Sequence, residues 1–130
     1  MPKHDSCHDV VADALRNEGW QVENDLRRQR DERLIYIDLR AFKEDRTTFI
    51  EVKCFLNLAD PDEQYTAVGQ YLIYQAFLRL ESIEHPLYLA VPVTIYENQF
   101  DDVMLETLQT HRIKLLIFDE TGERSLQWKT

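Results

Sequence analysis

The order of predicted elements indicates a mixed α/β domain in which helices cover a central β-sheet. Three observations predict it: an amphipathic helix near the start, a pair of alternating strands joined by a polar turn, and two apolar strands separated by a helix. The predicted order is α-β-β-β-α-β-α-β with a short tail. A chain of 130 residues has the length of one domain, so residues 1–130 are predicted to form a single unit.

The first half of the chain is predicted to form one helix and three strands. Residues 5–18 carry an apolar stripe at helical spacing, and Gly19 is a suitable stop for that helix. GWQVEND then indicates a short extended segment. Residues 34–42 alternate between two faces, and the polar turn KEDRT joins them to the strand TFIEVKCF at residues 48–55. Alternation predicts that four apolar residues of the first strand share one face: Ile35, Ile37, Leu39 and Ala41.

Helices and apolar strands alternate in the second half. Asp60 is a candidate N-cap and Pro61 a favourable first helical residue, so a long helix is predicted over about residues 61–81. PLYLAVPV and IKLLIFD are nearly continuous apolar runs, which is typical of interior strands. A helix over about residues 96–110 separates them, and a turn at Thr121–Gly122 leads to a possible last strand, SLQW.

Composition excludes several classes of protein. Hydrophobic residues make up 44% of the chain, which is enough for a core, and no run approaches the roughly 18 apolar residues of a membrane span. The N-terminus lacks the apolar core of a signal peptide. Cys7 and Cys54 have no zinc-site spacing, and one distant pair does not suggest a disulfide framework. Cys54 is therefore expected to be a buried free thiol, and the cytoplasm is the expected compartment.

The formal net charge of −9 is distributed unevenly along the chain. Residues 1–53 carry 10 basic and 12 acidic side chains, whereas residues 54–130 carry 5 and 12. Since nucleic-acid binders usually have a basic footprint, this balance argues against such a role for the chain as a whole. The exception is LRRQRDER, and two interpretations of it stay open: a solvated loop or an edge that faces phosphate. Its arginines are Arg27, Arg28, Arg30 and Arg33.

Three charged residues lie on the predicted hairpin: Asp38, Glu51 and Lys53. Because strand residues alternate between faces, Glu51 and Lys53 project from the same side. If both strands turn their apolar faces to one core, Asp38 converges with them on the other face. Two close carboxylates raise each other's pKa unless a cation compensates them, and Mg²⁺ is usually held by one or two carboxylates. Lys53 would then orient water or stabilise charge on a phosphate. The alternative is an ordinary surface ion pair.

The helix that follows adds two polar candidates. Gln70 and Tyr74 are four residues apart and therefore share one helix face. A glutamine within an apolar run needs a hydrogen-bond partner if it is buried. Together with the strand residues, Gln70 is expected to bind water or phosphate, with Tyr74 in support. The alternative is a helix edge that is exposed to water.

The order Asp38, then Glu51-Val-Lys53, then Gln70 and Tyr74 resembles the PD-(D/E)XK nuclease superfamily. The Gln-x-x-x-Tyr spacing is similar to the branch that contains RecB-type nucleases and resolvases. More narrowly, HDVVADAL, YIDL, EVKCFL, GQYLIY, LYLAVP and IKLLIFD resemble the XisH family. These are cyanobacterial proteins named as controlling factors for excision of the fdxN DNA element. The resemblance extends over about residues 4–128.

The resemblance implies a restriction-endonuclease-like fold, a central mixed sheet flanked by helices. It implies Mg²⁺ or Mn²⁺ bound by Asp38 and Glu51, with Lys53 as the catalytic partner. The proline of the superfamily motif is absent, since Ile37 precedes Asp38. This departure is common in the superfamily and leaves the metal-ligand assignment in place.

The resemblance also concerns the first helix and the partners. The superfamily often places a carboxylate on this helix, where His8, Asp9 and Asp13 are available and His8 and Asp9 match the XisH-like opening. Which of them points inward stays open. The family implies a role in programmed DNA rearrangement during heterocyst formation, alongside a XisI-like protein and a site-specific recombinase. DNA is the expected ligand, a homodimer is possible, and no membrane association is expected.

Two functions from different classes compete. The first is a metal-dependent nuclease in which Asp38 and Glu51 hold the metal, Lys53 assists the water, and Gln70 positions phosphate or water. The second is a nuclease-like scaffold that serves as an accessory or binding factor in recombination. The acidic charge balance favours the second, whereas the complete set of polar residues favours the first. A coincidental grouping in a small domain of another kind is the remaining alternative.

Overall fold

The computed structural model describes residues 7–55 and 60–130, so the first two residues of the predicted helix at 5–18 lie outside it. Its element order confirms the predicted mixed α/β fold, with helices on a central sheet. The elements are α1 (His8–Asn17), β1 (Gln21–Arg30), β2 (Arg33–Lys43), β3 (Arg46–Val52), α2 (Asp62–Leu80), β4 (Leu87–Pro92), α3 (Val93–Asn98), α4 (Asp102–Thr110), β5 (Lys114–Phe118) and β6 (Gln127–Lys129).

The six strands form one mixed sheet in the order β1-β2-β3-β4-β5-β6. β1, β2 and β3 pair antiparallel as two consecutive hairpins, and β6 pairs antiparallel with β5. β3–β4 and β4–β5 are parallel pairs, which require crossover connections. α2 connects β3 to β4, and α3 and α4 together connect β4 to β5. Every residue of β4 is buried, as its continuous apolar sequence predicted.

The predicted helices are found, but one of them is divided. α2 begins and ends within a residue of the predicted range, and the Asp60 carboxylate accepts a hydrogen bond from Asp62 N–H at 2.9 Å at its start. The helix predicted over 96–110 is instead α3 and α4, because Asp101 caps a new helix by accepting from Met104 N–H at 2.9 Å. Within 7–55 and 60–130, no helix is long and apolar enough to cross a bilayer.

β1 is longer than the short extended segment predicted at GWQVEND. It has ten residues and pairs with β2 along its length. The interpretation of LRRQRDER as a solvated loop is therefore wrong, since Arg27, Arg28 and Arg30 belong to β1 and Arg33 begins β2. Pairing with an apolar neighbour lets a polar sequence form a strand, because sheet formation depends on cross-strand contacts more than on intrinsic preference.

The sheet separates two cores, and β2 contributes to both. Leu39 and Ala41 pack in the core under α1, whereas Ile35 and Ile37 pack in the core under α2. The prediction that these four residues share one face is therefore wrong. The apolar side chains of β2 switch from one side of the sheet to the other at Asp38, between the register pairs Asn24↔Leu39 and Leu26↔Ile37. Asp25, between the same pairs on β1, has a left-handed φ of 55°, which interrupts regular strand alternation at this level.

Cys7 and Cys54 form a disulfide, with Cα atoms 5.6 Å apart and a sequence separation of 47. The expectation of a free thiol at Cys54 is therefore wrong. Cys7 precedes α1 and Cys54 follows β3, and both lie in the core where α1 packs on the sheet. This packing joins residues that are distant in sequence. Because stable disulfides are rare in reducing compartments, the cysteines give no support to a cytoplasmic location.

Candidate active site

The backbone pairing of β2 with β3 ends before Asp38 and Glu51. Hydrogen bonds between side chains and backbone join the two strands at these residues. The last register pair on this side is Leu39↔Ile50. Asp38 N–H then donates to Glu51 Oε1 at 2.9 Å, and Val52 N–H donates to Asp38 Oδ2 at 2.8 Å. Each carboxylate thus accepts a hydrogen bond from the opposite strand. These reciprocal bonds bring the two carboxylates together at the point where the strands separate.

Glu51 lies in a position that disfavours its charge. Its exposed fraction is 3%. Burial, and next the negative charge of Asp38, raise the pKa of Glu51 to about 8, while the hydrogen bond from the Asp38 backbone and the Lys53 ammonium act in the lowering direction. At neutral pH the metal-free site therefore holds a proton on Glu51. A cation that replaced this proton would stabilise both carboxylates in their charged form.

Lys53 stands directly after β3 on the same side as Glu51. Its backbone N–H donates to Ala90 O at 3.0 Å, which continues the contact between β3 and β4. Its side chain is half-buried, and its positive charge lowers the pKa of Glu51. The Lys53 ammonium therefore acts electrostatically on the Glu51 carboxyl group, and its catalytic role stays a prediction.

α2 contributes Gln70 and Tyr74, and the structure joins these two side chains by a hydrogen bond. Gln70 Nε2 donates to Tyr74 Oη at 2.9 Å. Burial raises the pKa of Tyr74, the hydrogen bond from Gln70 lowers it, and the negative charges of Glu51 and Asp38 raise it. Tyr74 therefore lies within the electrostatic reach of both carboxylates. Gln70 holds the Tyr74 hydroxyl by its hydrogen bond, and its predicted contact with water or phosphate stays a prediction.

His8 is the α1 candidate whose side chain is buried near the site, whereas the side chains of Asp9 and Asp13 are exposed. His8 is 2% exposed, and its Nε2 lies 3.4 Å from the backbone oxygen of Asp38. The Asp9 side chain is 94% exposed, and Asp13 is an exposed partner of Arg16. Asp9 therefore does not join the carboxylates, contrary to its prediction as a supporting residue. His8 contacts the strand that carries Asp38 and is suited to hold it in place.

Two backbone groups of the site could not be predicted from the sequence. Val52 N–H binds the carboxylate of Asp38, and a hydrogen bond from the Tyr36 backbone lowers the pKa of Tyr74. Residue type gives no signal for such groups, because every residue except proline carries the same N–H donor. Their positions follow from the register of the sheet alone.

The donor set fits a hard divalent cation. Among the described residues, no group of three or more His, Cys, Asp or Glu side chains converges as a metal cage. Asp38 and Glu51 therefore provide two carboxylates, which is the number that commonly binds Mg²⁺ together with waters and substrate phosphate. Mn²⁺ accepts the same oxygen ligands. A structural zinc site, which needs four protein ligands, does not fit these residues.

Residues 1–126 match the family model described as XisH protein. The chain belongs to the XisH family. It is similar to the solved structure of a XisH family protein from Nostoc punctiforme, with 36% identity, a TM-score of 0.88, and 97% of this chain and 100% of that chain covered. It is also similar to a fdxN element excision controlling factor protein from Anabaena variabilis, with 32% identity, a TM-score of 0.89, and 98% and 100% covered.

A more distant structure shares the fold alone. It is a protein of unknown function with 17% identity and a TM-score of 0.55. The match covers 83% of this chain and 54% of that chain. No curated protein matches the chain. The XisH family is thus the level of relationship that the comparisons establish.

Proposed function

We propose that this XisH family protein is a Mg²⁺- or Mn²⁺-dependent DNA endonuclease that takes part in controlling the excision of a DNA element. The observation that carries the proposal is the reciprocal pair of bonds, 2.9 and 2.8 Å long, that holds the Asp38 and Glu51 carboxylates together. The resemblance to PD-(D/E)XK nucleases supports phosphodiester hydrolysis as the reaction. The name of the Anabaena variabilis relative supports excision control as the process.

Each side chain has a role in this proposal. Asp38 and Glu51 would hold the cation, which when bound supplies Lewis-acid activation of water and phosphate. Lys53 places a positive charge where a phosphate would accumulate negative charge during hydrolysis. The Tyr74 hydroxyl is protonated at neutral pH, as in any tyrosine whose pKa is not lowered, so it can donate a hydrogen bond to a phosphate oxygen. His8, through the backbone of Asp38, is a positioning residue.

The proposal is tested by incubating the protein with linear, branched and single-stranded DNA in Mn²⁺. We expect cleavage by the wild type and a loss of about 100-fold or more in Asp38→Ala and in Glu51→Ala, because either change removes a metal ligand. Asp9→Ala is the matched control, since it removes an exposed carboxylate from α1 and should cleave normally.

The same preparations are titrated with Mn²⁺ in a calorimeter. Binding by the wild type, and weaker binding by the two ligand variants, is expected. A wild type that neither cleaves any of the three substrates nor binds Mn²⁺ would refute the nuclease. Cleavage that persists in both ligand variants would assign the activity to a contaminant.

An accessory role is the second candidate, and one observation favours it. Both carboxylates already accept backbone hydrogen bonds that join β2 to β3, so they have a structural use without any metal. In this case the protein would act with a XisI-like partner and a site-specific recombinase, as a monomer or a homodimer. Normal excision by Asp38→Asn and Glu51→Gln variants in a reconstituted recombination assay would favour this role over catalysis.

A further inference from the structure

A groove lies between the first half of α2 and α4 and has a volume of about 700 Å³. Its lining includes apolar and small residues from both helices: Tyr65, Val68, Gly69, Val103 and Met104. Met104 is buried and packs in the core under α2, so it fixes α4 in place. A Cβ atom added at Gly69 would meet no other atom within 4 Å, so the groove is open beside this glycine.

Two large apolar side chains on this groove are exposed. Tyr65 of α2 is 64% exposed, and Val103 of α4 is 74% exposed. Single exposed apolar residues are normal on a protein surface and need no explanation. Here one such side chain from each helix lines the same groove. Contiguous exposed apolar surface of this kind is typical of a contact with another protein.

The segments that form the groove carry acidic charge without basic charge. Residues 60–78 contain three Asp or Glu, residues 93–111 contain four, and neither segment contains Lys or Arg. The described residues that line the groove include no basic side chain. These segments give the groove a negative potential, which attracts a cationic partner and repels a nucleic acid.

Three carboxylates, called here the acidic rim, accompany the apolar lining: Asp62, Asp101 and Glu106. Asp101 lines the groove itself. Asp62 lies three residues before Tyr65 and Glu106 three residues after Val103, so each neighbours an exposed apolar side chain on the surface of its helix. None of the three forms an ion pair within residues 7–55 and 60–130. The acidic rim is thus available to cations from outside the chain.

We infer that this groove docks a basic amphipathic segment of a partner protein. An apolar side chain of the segment would lie between Tyr65 and Val103, and its Lys or Arg side chains would pair with the acidic rim. An amphipathic helix laid into an apolar groove is a common mode of protein recognition, and opposite charge adds specificity. A second copy of this chain fits less well, because a two-fold contact would bring the two acidic rims together.

The groove and the carboxylate site lie on different faces of α2. Tyr65 and Tyr74 are nine residues apart, and about 100° of rotation per residue puts them on opposite sides of the helix. A segment docked at Tyr65 therefore leaves Tyr74 and the carboxylates accessible. The inference goes beyond the proposed function, since it requires neither a metal nor cleavage of DNA.

The test uses a fluorescein-labelled helical peptide of leucine and lysine, with leucine at the i, i+3, i+4 and i+7 positions that share one helix face. A matched peptide carries glutamate in place of lysine. Fluorescence anisotropy at low salt should show binding of the lysine peptide and none of the glutamate peptide. In a nuclear magnetic resonance titration, the backbone amide shifts caused by the lysine peptide should lie in residues 61–69 and 101–107.

One pair of variants separates the acidic rim from general charge. Asp62→Asn/Asp101→Asn/Glu106→Gln removes the rim charges and should weaken binding by about tenfold or more. Asparagine at position 101 keeps an N-cap for α4. The matched control removes the same charge at exposed sites elsewhere and should bind like the wild type; its changes are Glu32→Gln, Glu84→Gln and Glu123→Gln.

A second pair of variants tests the apolar lining. Tyr65→Ala/Val103→Ala should weaken binding by about tenfold, because aromatic anchors contribute much of the binding energy at an interface. Ile73→Ala/Leu80→Ala removes two exposed apolar side chains of α2 outside the groove and should bind normally. Alanine favours helices, so both variants should stay folded, and thermal unfolding checks this for every variant.

Several outcomes would overturn the inference. Equal affinity of the acidic-rim variant and its charge control would do so, as would amide shifts outside the groove or equal binding of the two peptides. Self-association of the wild type that is lost in Tyr65→Ala/Val103→Ala, measured by light scattering, would replace the partner protein with a second copy of this chain. Duplex DNA binding that the same variant abolishes would replace it with a nucleic acid.

Discussion

Glu51 is buried, and the half-buried Asp38 lies next to it on the neighbouring strand. Burial and the negative charge of Asp38 both oppose ionisation of Glu51, and the hydrogen bond from the Asp38 backbone offsets these effects only in part. The local chemistry therefore favours either a retained proton or a bound cation. The protonation state of Glu51 therefore affects how the unfolding free energy of the protein depends on pH.

Glu51→Gln is predicted to remove most of the pH dependence of stability above acidic pH. The pKa of Glu51 rises from 4.5 to about 8 on folding, so the folded protein retains a proton that the unfolded chain releases. The stabilisation is complete below the unfolded pKa and is lost as pH rises through the folded pKa. In EDTA, the wild type should lose a few kcal/mol of unfolding free energy between about pH 5 and about pH 8.

Urea unfolding of both proteins over this pH range measures the effect. The glutamine variant should show a much flatter dependence, because it cannot ionise at this position. Parallel curves for the two proteins would show that Glu51 titrates normally.

At the scale of elements, α2 is fixed to the sheet by one buried tyrosine. Tyr71 donates its hydroxyl to Leu87 O at 2.6 Å and accepts from Lys114 N–H at 3.2 Å. These bonds tie the helix to the starts of β4 and β5. Tyr74 is three residues further along the same helix, so the anchor also helps to fix the position of the Tyr74 hydroxyl.

The disulfide joins two elements that flank the site. Cys7 immediately precedes His8, and Cys54 immediately follows Lys53. Replacing both with alanine is predicted to lower the unfolding free energy by about 4 kcal/mol, the chain-entropy value for a loop of this length. Urea unfolding measures the loss, and a thiol reductant provides the control, since it should destabilise the wild type and leave the variant unchanged. Equal stability of oxidised wild type and variant would contradict the prediction.

At the scale of the whole molecule, cation binding should be visible as a change in global stability. Mn²⁺ is predicted to raise the melting temperature of the wild type, and to raise it more at about pH 8 than at about pH 5, because protons on Glu51 compete with the metal. Asp38→Asn should lose this response. Asp13→Asn, which changes an exposed carboxylate on α1, should keep it.

Differential scanning calorimetry with and without Mn²⁺ gives the comparison. A shift of equal size in the wild type and Asp38→Asn would mean that the ion binds elsewhere. A shift that grows toward acidic pH would mean that the responsible ligands are not the buried pair.

The amino-acid sequence by itself determined the order of elements, the interior position of β4 and β5, and the pairing of Asp38 with Glu51. These features follow from periodicity and turn residues, which act over a few positions along the chain. A carboxylate placed mid-strand in an apolar sequence is visible in the same way. Membership of the XisH family was also evident from short local phrases of the sequence.

The tertiary structure alone decided the remaining contacts and the length of β1. It joined Cys7 to Cys54, turned Asp9 outward, brought Tyr74 within the electrostatic reach of the carboxylates, and extended β1 to Arg30. Each outcome depends on how α1, α2 and the hairpin pack across distances of tens of residues. The local sequence does not predict that packing, because burial and contact depend on elements that meet only in the folded chain.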